Sequence, residues 1–305
     1  MNRLVLVDGN AVLHRAYHAI PMFLTAPDGS VVNAVYGFGT MLIRLITDLK
    51  PTHVAVAFDR AAPTFRKKLF AGYQIKRPKI DDALVEQIPK VHDLVASFGI
   101  PIFEKDGFEA DDVIGTIAKN RKKEGIDQII IVTGDRDILQ LVEDEKVLVY
   151  MPTKGLSEAK LYGEKEVVER LGVKPTLIPD YKALAGDQSD NYPGVPGVGP
   201  KTAVALLTKY KTIAGVLKYH KLTLVEKESA RMSHDLATIR TNVPLEGSLV
   251  PLGSLNRPEA ISELTTLGFR TLLKRITGEK DEPKKAVKKG EKQVKKQIGE
   301  QQGLF

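Results

Sequence analysis

An open, mostly parallel α/β sheet with helices on both faces is the architecture this sequence predicts, followed by a helical second part. Three observations predict it. Short apolar runs alternate with helix-patterned stretches over the first 160 residues. Three of those runs end in aspartate. After residue 160 the pattern changes to short helices punctuated by glycine and proline.

Taken in order, LVLVD at 4–8 is a continuous apolar run ending in an acid, as expected of a strand covered on both faces. Residues 33–50 carry apolar side chains at helical spacing and stop before Pro51. HVAVAFD at 53–59 is a second buried strand, again ending in aspartate. Residues 60–80 are different in kind: Arg66, Lys67, Lys68, Lys76, Arg77 and Lys79 are interleaved with Phe65, Phe70 and Tyr73. The spacing predicts a helix over 81–98, a short strand at 100–103 and a helix over 109–124. IIIVTGD at 129–135 and VLVYM at 147–151 are further strands. GVPGVGPKTAVALL at 194–207 is a glycine-rich turn running into an amphipathic helix, and helical stretches continue to about residue 277.

The chain has 305 residues, 43% of them hydrophobic, enough to bury a full core. No run of 18 apolar residues predicts a membrane span, and the start has no secretory pattern, so a cytoplasmic protein without membrane contact is expected. With no cysteine, disulfides and thiolate metal sites are excluded. The net charge of +7 is partly a tail effect. Residues 279–300 hold 8 lysines against 5 acids, leaving +4 on residues 1–278. That tail has few large apolar side chains and is expected to be a flexible Lys-rich linker. The expected organisation is an α/β region at 1–160, a helical region at 161–278, the linker at 279–300 and a terminal peptide at 301–305.

Ligands of an open parallel sheet bind beyond the carboxyl ends of its strands. Asp8, Asp59 and Asp135 end strands there. EADD adds Glu109, Asp111 and Asp112 at a helix start, and Asp137, Asp187 and Asp190 follow in loops. Singly, each has an ordinary structural reading as a turn residue or a helix cap. Nine carboxylates at one edge would repel strongly without cations. Oxygen ligands suit Mg²⁺ or Mn²⁺ rather than Zn²⁺, and the six histidines show no HExxH spacing. Three other classes fit part of the pattern. A DNA scaffold without cleavage would not need intact acids. A PIN-like ribonuclease would not need the glycine hairpin and basic segment. A HAD-type phosphatase would carry DxDGT, which is absent.

The strings LVDGNAVLHRAYHA, FD at 58–59, TFRKKLFAGYQIKRPK, GFEADDVIGTIA, VTGDRDILQL, ALAGDQSDNYPGVPGVGPKTA, LATIRTNVPL and LGFRTLLKRI follow one another over residues 3–277. In this order they resemble the 5′ nuclease, or flap endonuclease, superfamily, most closely the 5′–3′ exonuclease domain of bacterial DNA polymerase I. The resemblance implies a PIN-like or Rossmann-like sheet with a helical arch at about 60–105 and a C-terminal helix-hairpin-helix. It implies two or more Mg²⁺ ions, replaceable by Mn²⁺. Asp8, Asp59, Glu109 and Asp111 would hold one ion and Asp135, Asp137 and Asp190 the other, with Asp112 and Asp187 supporting either. It further implies that Lys76 and Arg77 neutralise the scissile phosphate, with Arg66 and Tyr73 beside them in the arch. Arg15 and Tyr17 would contact unpaired nucleotides. Gly194, Gly197, Gly199 and Lys201 would grip duplex phosphates, with K⁺ on hairpin carbonyls.

The implied activity is 5′–3′ exonuclease and flap endonuclease cleavage of flapped or branched DNA and RNA–DNA primer junctions, by a monomer at the bacterial nucleoid. The chain is expected to be a free-standing nuclease or an isolated fragment, without a polymerase region. Gln301, Leu304 and Phe305 resemble the short motif that docks on the bacterial sliding clamp.

Overall fold

The computed structural model describes residues 1–154 and 158–279. The sheet is built from β1 (Arg3–Asp8), β2 (His53–Ala57), β3 (Ile102–Phe103), β4 (Gln128–Val132), β5 (Val147–Lys154) and β6 (Glu158–Tyr162), in the order β3-β2-β1-β4-β5-β6. All neighbours are parallel except β5 and β6. The antiparallel β6 is an edge that the apolar pattern does not foretell, because AKLY carries too few apolar residues to read as a covered strand. The connections leave β1 towards β2 on one side and return to place β4 on the other. The strand order therefore reverses between β1 and β4, the point where such sheets bind ligands.

Within the strands, alternate residues serve opposite faces. Leu4, Leu6, Ile129 and Ile131 join one core, while Val5, Val7, Ile130 and Val132 join the other. The second core is covered by α1 (Gly9–Ala19), α2 (Asn33–Leu49) and two helices within 81–98. After the five-residue α3 (Phe65–Leu69), that predicted single helix is split into α4 (Asp82–Val85) and α5 (Ile88–Ser97). The break has a cause. The buried Gln87 side chain accepts hydrogen bonds from the Ala34 and Val35 amides at 2.9 and 3.4 Å, and donates to Asn33 Oδ1 at 3.0 Å. It thus caps the start of α2, whose first amides have no intrahelical partner. α5 buries Val91, Leu94 and Val95 against the sheet. The last third of the segment 60–105, which the resemblance assigns to an arch, is therefore packed in the core.

The first core is covered by α6 (Ala110–Asn120) and by the helical region that follows β6: α7 (Glu164–Leu171), α8 (Ile178–Ala185), α9 (Pro200–Tyr210), α10 (Ile213–Tyr219) and α11 (Leu224–Ala237). Two last helices, α12 (Pro258–Thr266) and α13 (Arg270–Thr277), return to the second core through Ala260, Leu264 and Leu272. The predicted unit at 161–278 is thus shared between both faces of the sheet. Residues 280–305, with nearly all of the predicted linker and the Gln301–Phe305 peptide, lie outside the described residues.

Candidate metal centre and nucleic-acid interface

The acids converge at the carboxyl edge of the sheet, around the β1/β4 reversal. Asp8 ends β1 and caps α1, accepting from the Ala11 amide at 3.0 Å and from the Thr133 hydroxyl at 2.6 Å. Asp59 follows β2 and accepts from the Ala110 amide at 2.7 Å, the first amide of α6. Glu109 precedes that helix and accepts from Thr64 at 3.0 Å and Tyr73 at 3.2 Å. Asp135 accepts from the Asp137 amide at 2.8 Å beyond β4. The Asp8–Ala11 and Asp135–Asp137 bonds are local, made where a strand end runs into a helical turn, whereas the Thr133, Ala110, Thr64 and Tyr73 bonds join segments 36 to 125 positions apart.

Charge links the acids into one group. Burial pushes Asp8 up to about 7, and the charges of Asp59 and Asp135 add to the shift. Burial raises Asp111 well above the usual carboxylate range, with Asp135, Asp8, Asp137 and Glu109 contributing. Asp59 and Glu109 are likewise raised, chiefly by burial. Asp137 rises to about 7 through burial, against the pull of Lys182. Carboxylates so crowded need a cation to stay ionised at neutral pH. The donor set is oxygen alone, which fits hard divalent ions. Among the described residues, Asp137, Asp187 and Asp190 offer oxygens that all lie within 4.8 Å of one another. The resemblance names Asp135, rather than Asp187, with Asp137 and Asp190 for one ion.

Several predicted residues sit elsewhere than expected. Arg66 is 3% exposed and Asp112 is fully buried. They form a two-pronged ion pair at 2.7 and 2.9 Å. Asp112 also accepts from the Glu109 and Arg240 amides at 3.0 and 2.8 Å, and Arg66 donates to the Leu236 and Thr238 carbonyls at 2.8 and 3.1 Å. Neither side chain has capacity left for an ion or a DNA strand. Their pairing ties the basic segment to α6 and α11, and breaking such a buried pair costs about 3–5 kcal/mol. Tyr17 is buried along most of its ring, and its hydroxyl donates to the exposed Asp81 at 2.6 Å. Tyr73 lies under the acids, donating to Glu109 and Asp190 at 3.2 Å each. Arg77 does reach the site: half exposed, it donates to Asp190 at 2.6 Å. Lys76 is exposed beside it, and Arg15 is half-buried on α1.

Lys182 is the residue that sequence reasoning missed. It stands on α8, five positions before Asp187, and its ammonium bonds both Asp137 and Asp187. Burial works against its charge, but Asp137 and Asp187 raise its pKa. The same contact, with Ser189, holds Asp187 down at about 2 although burial pushes the other way. A lysine on an otherwise apolar helical turn leading into an acid loop was the available signal.

The glycine hairpin divides into two parts. Gly194 is buried, with φ of +65° and so little room that a Cβ would lie 2.3 Å from the Gly186 nitrogen. Its amide donates to Ser233 at 3.1 Å and its carbonyl accepts from Ser229 at 2.5 Å. Gly194 therefore packs the hairpin onto α8 and α11 and does not face a phosphate. Gly197 and Gly199 are exposed with open space around them, at the start of α9, and Lys201 is exposed on its first turn. Together they leave free amides and a positive charge accessible at one helix N-terminus.

The family model for the 5′-3′ exonuclease N-terminal resolvase-like domain matches residues 3–172, and that for the 5′-3′ exonuclease C-terminal SAM fold matches residues 173–257. The chain belongs to the 5′-3′ exonuclease family. A family member from Aquifex aeolicus, described as a 5′-3′ exonuclease, is 37% identical over 284 residues, covering 90% of this chain and 96% of that protein. DNA polymerase I of Bacillus subtilis is 41% identical over 285 residues, 90% of this chain but 32% of the polymerase. The chain thus spans about a third of the length of the curated polymerases it matches. The family fold is shared with a bacteriophage T5 protein co-crystallized with metal ions (TM-score 0.65, 19% identity, 91% of this chain and 98% of that one). The catalytic core of Rad2 in complex with DNA substrate is also similar in fold (TM-score 0.58, 16% identity, 91% and 92% covered).

Proposed function

We propose that this chain is a divalent-metal-dependent, structure-specific 5′ nuclease. It would act as a 5′–3′ exonuclease and flap endonuclease on DNA flaps, branches and RNA–DNA primer junctions during replication and repair. The observation that carries this reading is the gathering of Asp8, Asp59, Glu109, Asp111, Asp135, Asp137, Asp187 and Asp190 at the sheet reversal, with pKa values raised where burial and mutual repulsion act. Bound Mg²⁺, or Mn²⁺ in its place, supplies the positive charge and activation of water that phosphodiester hydrolysis requires. In the reaction a water oxygen attacks phosphorus and the P–O bond to the leaving strand breaks, giving a 5′-phosphate.

The protein's own part is placement. Asp8 and Asp59 are fixed by backbone amides, so they present carboxylates without a cost of reordering. Arg77, held by Asp190, lies where a phosphate entering the acid edge would find a positive charge, and Lys76 adds a second. The exposed amides at the start of α9, with Lys201, supply a grip on duplex phosphates that reads no sequence, and a K⁺ ion on the hairpin carbonyls would strengthen it. No helix among the described residues is long and apolar enough to cross a membrane. A monomer at the bacterial nucleoid is the setting this reading requires.

Gln301, Leu304 and Phe305 support a tether to the sliding clamp, an apolar pair at the end of a charged segment. The two readings separate experimentally. Cleavage of a labelled flap in Mg²⁺ but not in EDTA supports the nuclease, and DNA binding without cleavage in either would return the chain to a scaffold. Pull-down by a bacterial clamp that survives Leu304→Ala/Phe305→Ala would remove the tether.

A further inference from the structure

Tyr192 is a tyrosine of the acid edge whose hydroxyl has no partner among the described residues. It is 3% exposed, and among the described residues its hydroxyl is one of two buried side-chain polar atoms without a hydrogen-bond partner. Its orientation is fixed. The ring stacks on Tyr73 with centroids 6.5 Å apart and planes at 18°. Its backbone exchanges hydrogen bonds with Asp187 at 2.9 and 3.0 Å. The groups acting electrostatically on the hydroxyl are Lys182, Asp137, Asp187 and Asp190, the trio of close oxygens and the ammonium inside it.

The stacked neighbour shows what is unusual. The Tyr73 hydroxyl is used twice, by Glu109 and Asp190. Tyr192 has the same phenol in the same stack and no protein partner. A phenylalanine would fill the space equally and spare the cost of a buried polar group left unmet. The carboxylates nearby are already engaged, Asp137 and Asp187 by Lys182, and Asp190 by Tyr73 and Arg77. What suits a fixed hydroxyl at the wall of an oxygen-only cation site is a water of the cation's hydration shell, since small hard ions keep several waters.

We propose that the Tyr192 hydroxyl is a positioning group for a divalent ion held by Asp137, Asp187 and Asp190, hydrogen-bonding the ion's water shell. This rests on reading the trio as a metal site. Tyr192 touches neither DNA nor the scissile bond in this assignment. Its effect is on how tightly and in which orientation the second ion is held.

The test is Tyr192→Phe in the full chain, titrated with Mn²⁺ by calorimetry without DNA and melted in EDTA. Loss of an outer contact of this kind weakens a metal site about 10- to 100-fold. The expected result is one class of Mn²⁺ sites weakened by at least about ten-fold, the same class that Asp187→Asn weakens, with the other class unchanged. The melting temperature in EDTA should equal or exceed that of the parent, because an unmet buried hydroxyl has been removed. An isotherm identical to the parent's would overturn the proposal. So would a lower melting temperature in EDTA, which would show that the hydroxyl serves the protein and not the ion. A parent protein that takes up no Mn²⁺ would overturn the metal reading itself and this inference with it.

Discussion

The acid edge holds two groups that differ in what balances their charge. Asp8 and Asp59 are braced by the Ala11 and Ala110 amides and the Thr133 hydroxyl, none of which carries a full charge. Glu109 stands between the groups, since it adds the Arg66 guanidinium at 3.4 Å to the Thr64 and Tyr73 hydroxyls. Asp137, Asp187 and Asp190 are braced by the ammonium of Lys182 and the guanidinium of Arg77. The consequence is visible in Asp187, held at about 2, against Asp8, pushed up to about 7, although burial still carries Asp137 to about 7 beside its lysine. Dipoles orient a carboxylate but do not cancel its repulsion, whereas a cation in contact does both. The first group therefore has the greater need of an ion from solution, and the second is partly balanced by the protein itself.

The largest test of that contrast is Asp8→Asn. It removes a proposed metal ligand while keeping the cap on α1, since an amide oxygen accepts from the Ala11 amide as well. Flap cleavage should fall by on the order of 10³-fold or more, as expected for loss of metal-based charge stabilisation. Melting in EDTA should move upward, because a buried acid that resists ionisation has gone. A lower melting temperature there would break the contrast.

Next is Arg77→Ala, which should slow cleavage by about 10²- to 10³-fold, the usual value of one transition-state donor. Single-turnover rates check it. A parental rate would confine Arg77 to holding Asp190.

Smaller effects come from pH. Asp8 and Asp137 lie at about 7 in the fold against an ordinary 3.8, so between these values the folded chain binds more protons than the unfolded one. Stability in EDTA should accordingly fall as pH rises from about 4 through 7. Asp187 has the opposite sign. Its contribution is present above 3.8 and is lost only as pH falls towards about 2. Melting curves across pH 5–8 in EDTA should show the decline, and Mg²⁺ should reduce it by binding the ionised forms. Asp187→Asn should lower the melting temperature in EDTA across that range, since Lys182 loses a partner. A rise would mean the second group is as unbalanced as the first.

The smallest expected change is at the hairpin, away from both groups. Lys201→Ala should weaken binding to every duplex alike and reduce the salt slope by roughly one unit. Filter binding at several salt concentrations measures it, and a preference for one base sequence would contradict the phosphate grip.

By itself the sequence determined five of the six strands, the change to short helices after them and which segments carry acids to the strand ends. Those depend on local features: continuous apolar runs, aspartates at strand ends, and motifs such as TGDRD and GDQSDN that keep their chemistry wherever the chain carries them. Only the tertiary structure decided which charges remain available. Asp112 and Arg66 read as an acid of the site and a base of the arch, yet they neutralise each other across 46 positions of chain, sealed by carbonyls from the end of α11. Asp137 and Lys182, 45 positions apart, meet because β4 and α8 end at the same edge. Gly194 belongs to a motif string but spends its amide on Ser233 inside the protein. The physical reason is the same in each case. A residue's type and spacing specify what it can bond, but a buried polar group bonds whatever the fold brings within reach, and that partner is set by contacts between distant segments.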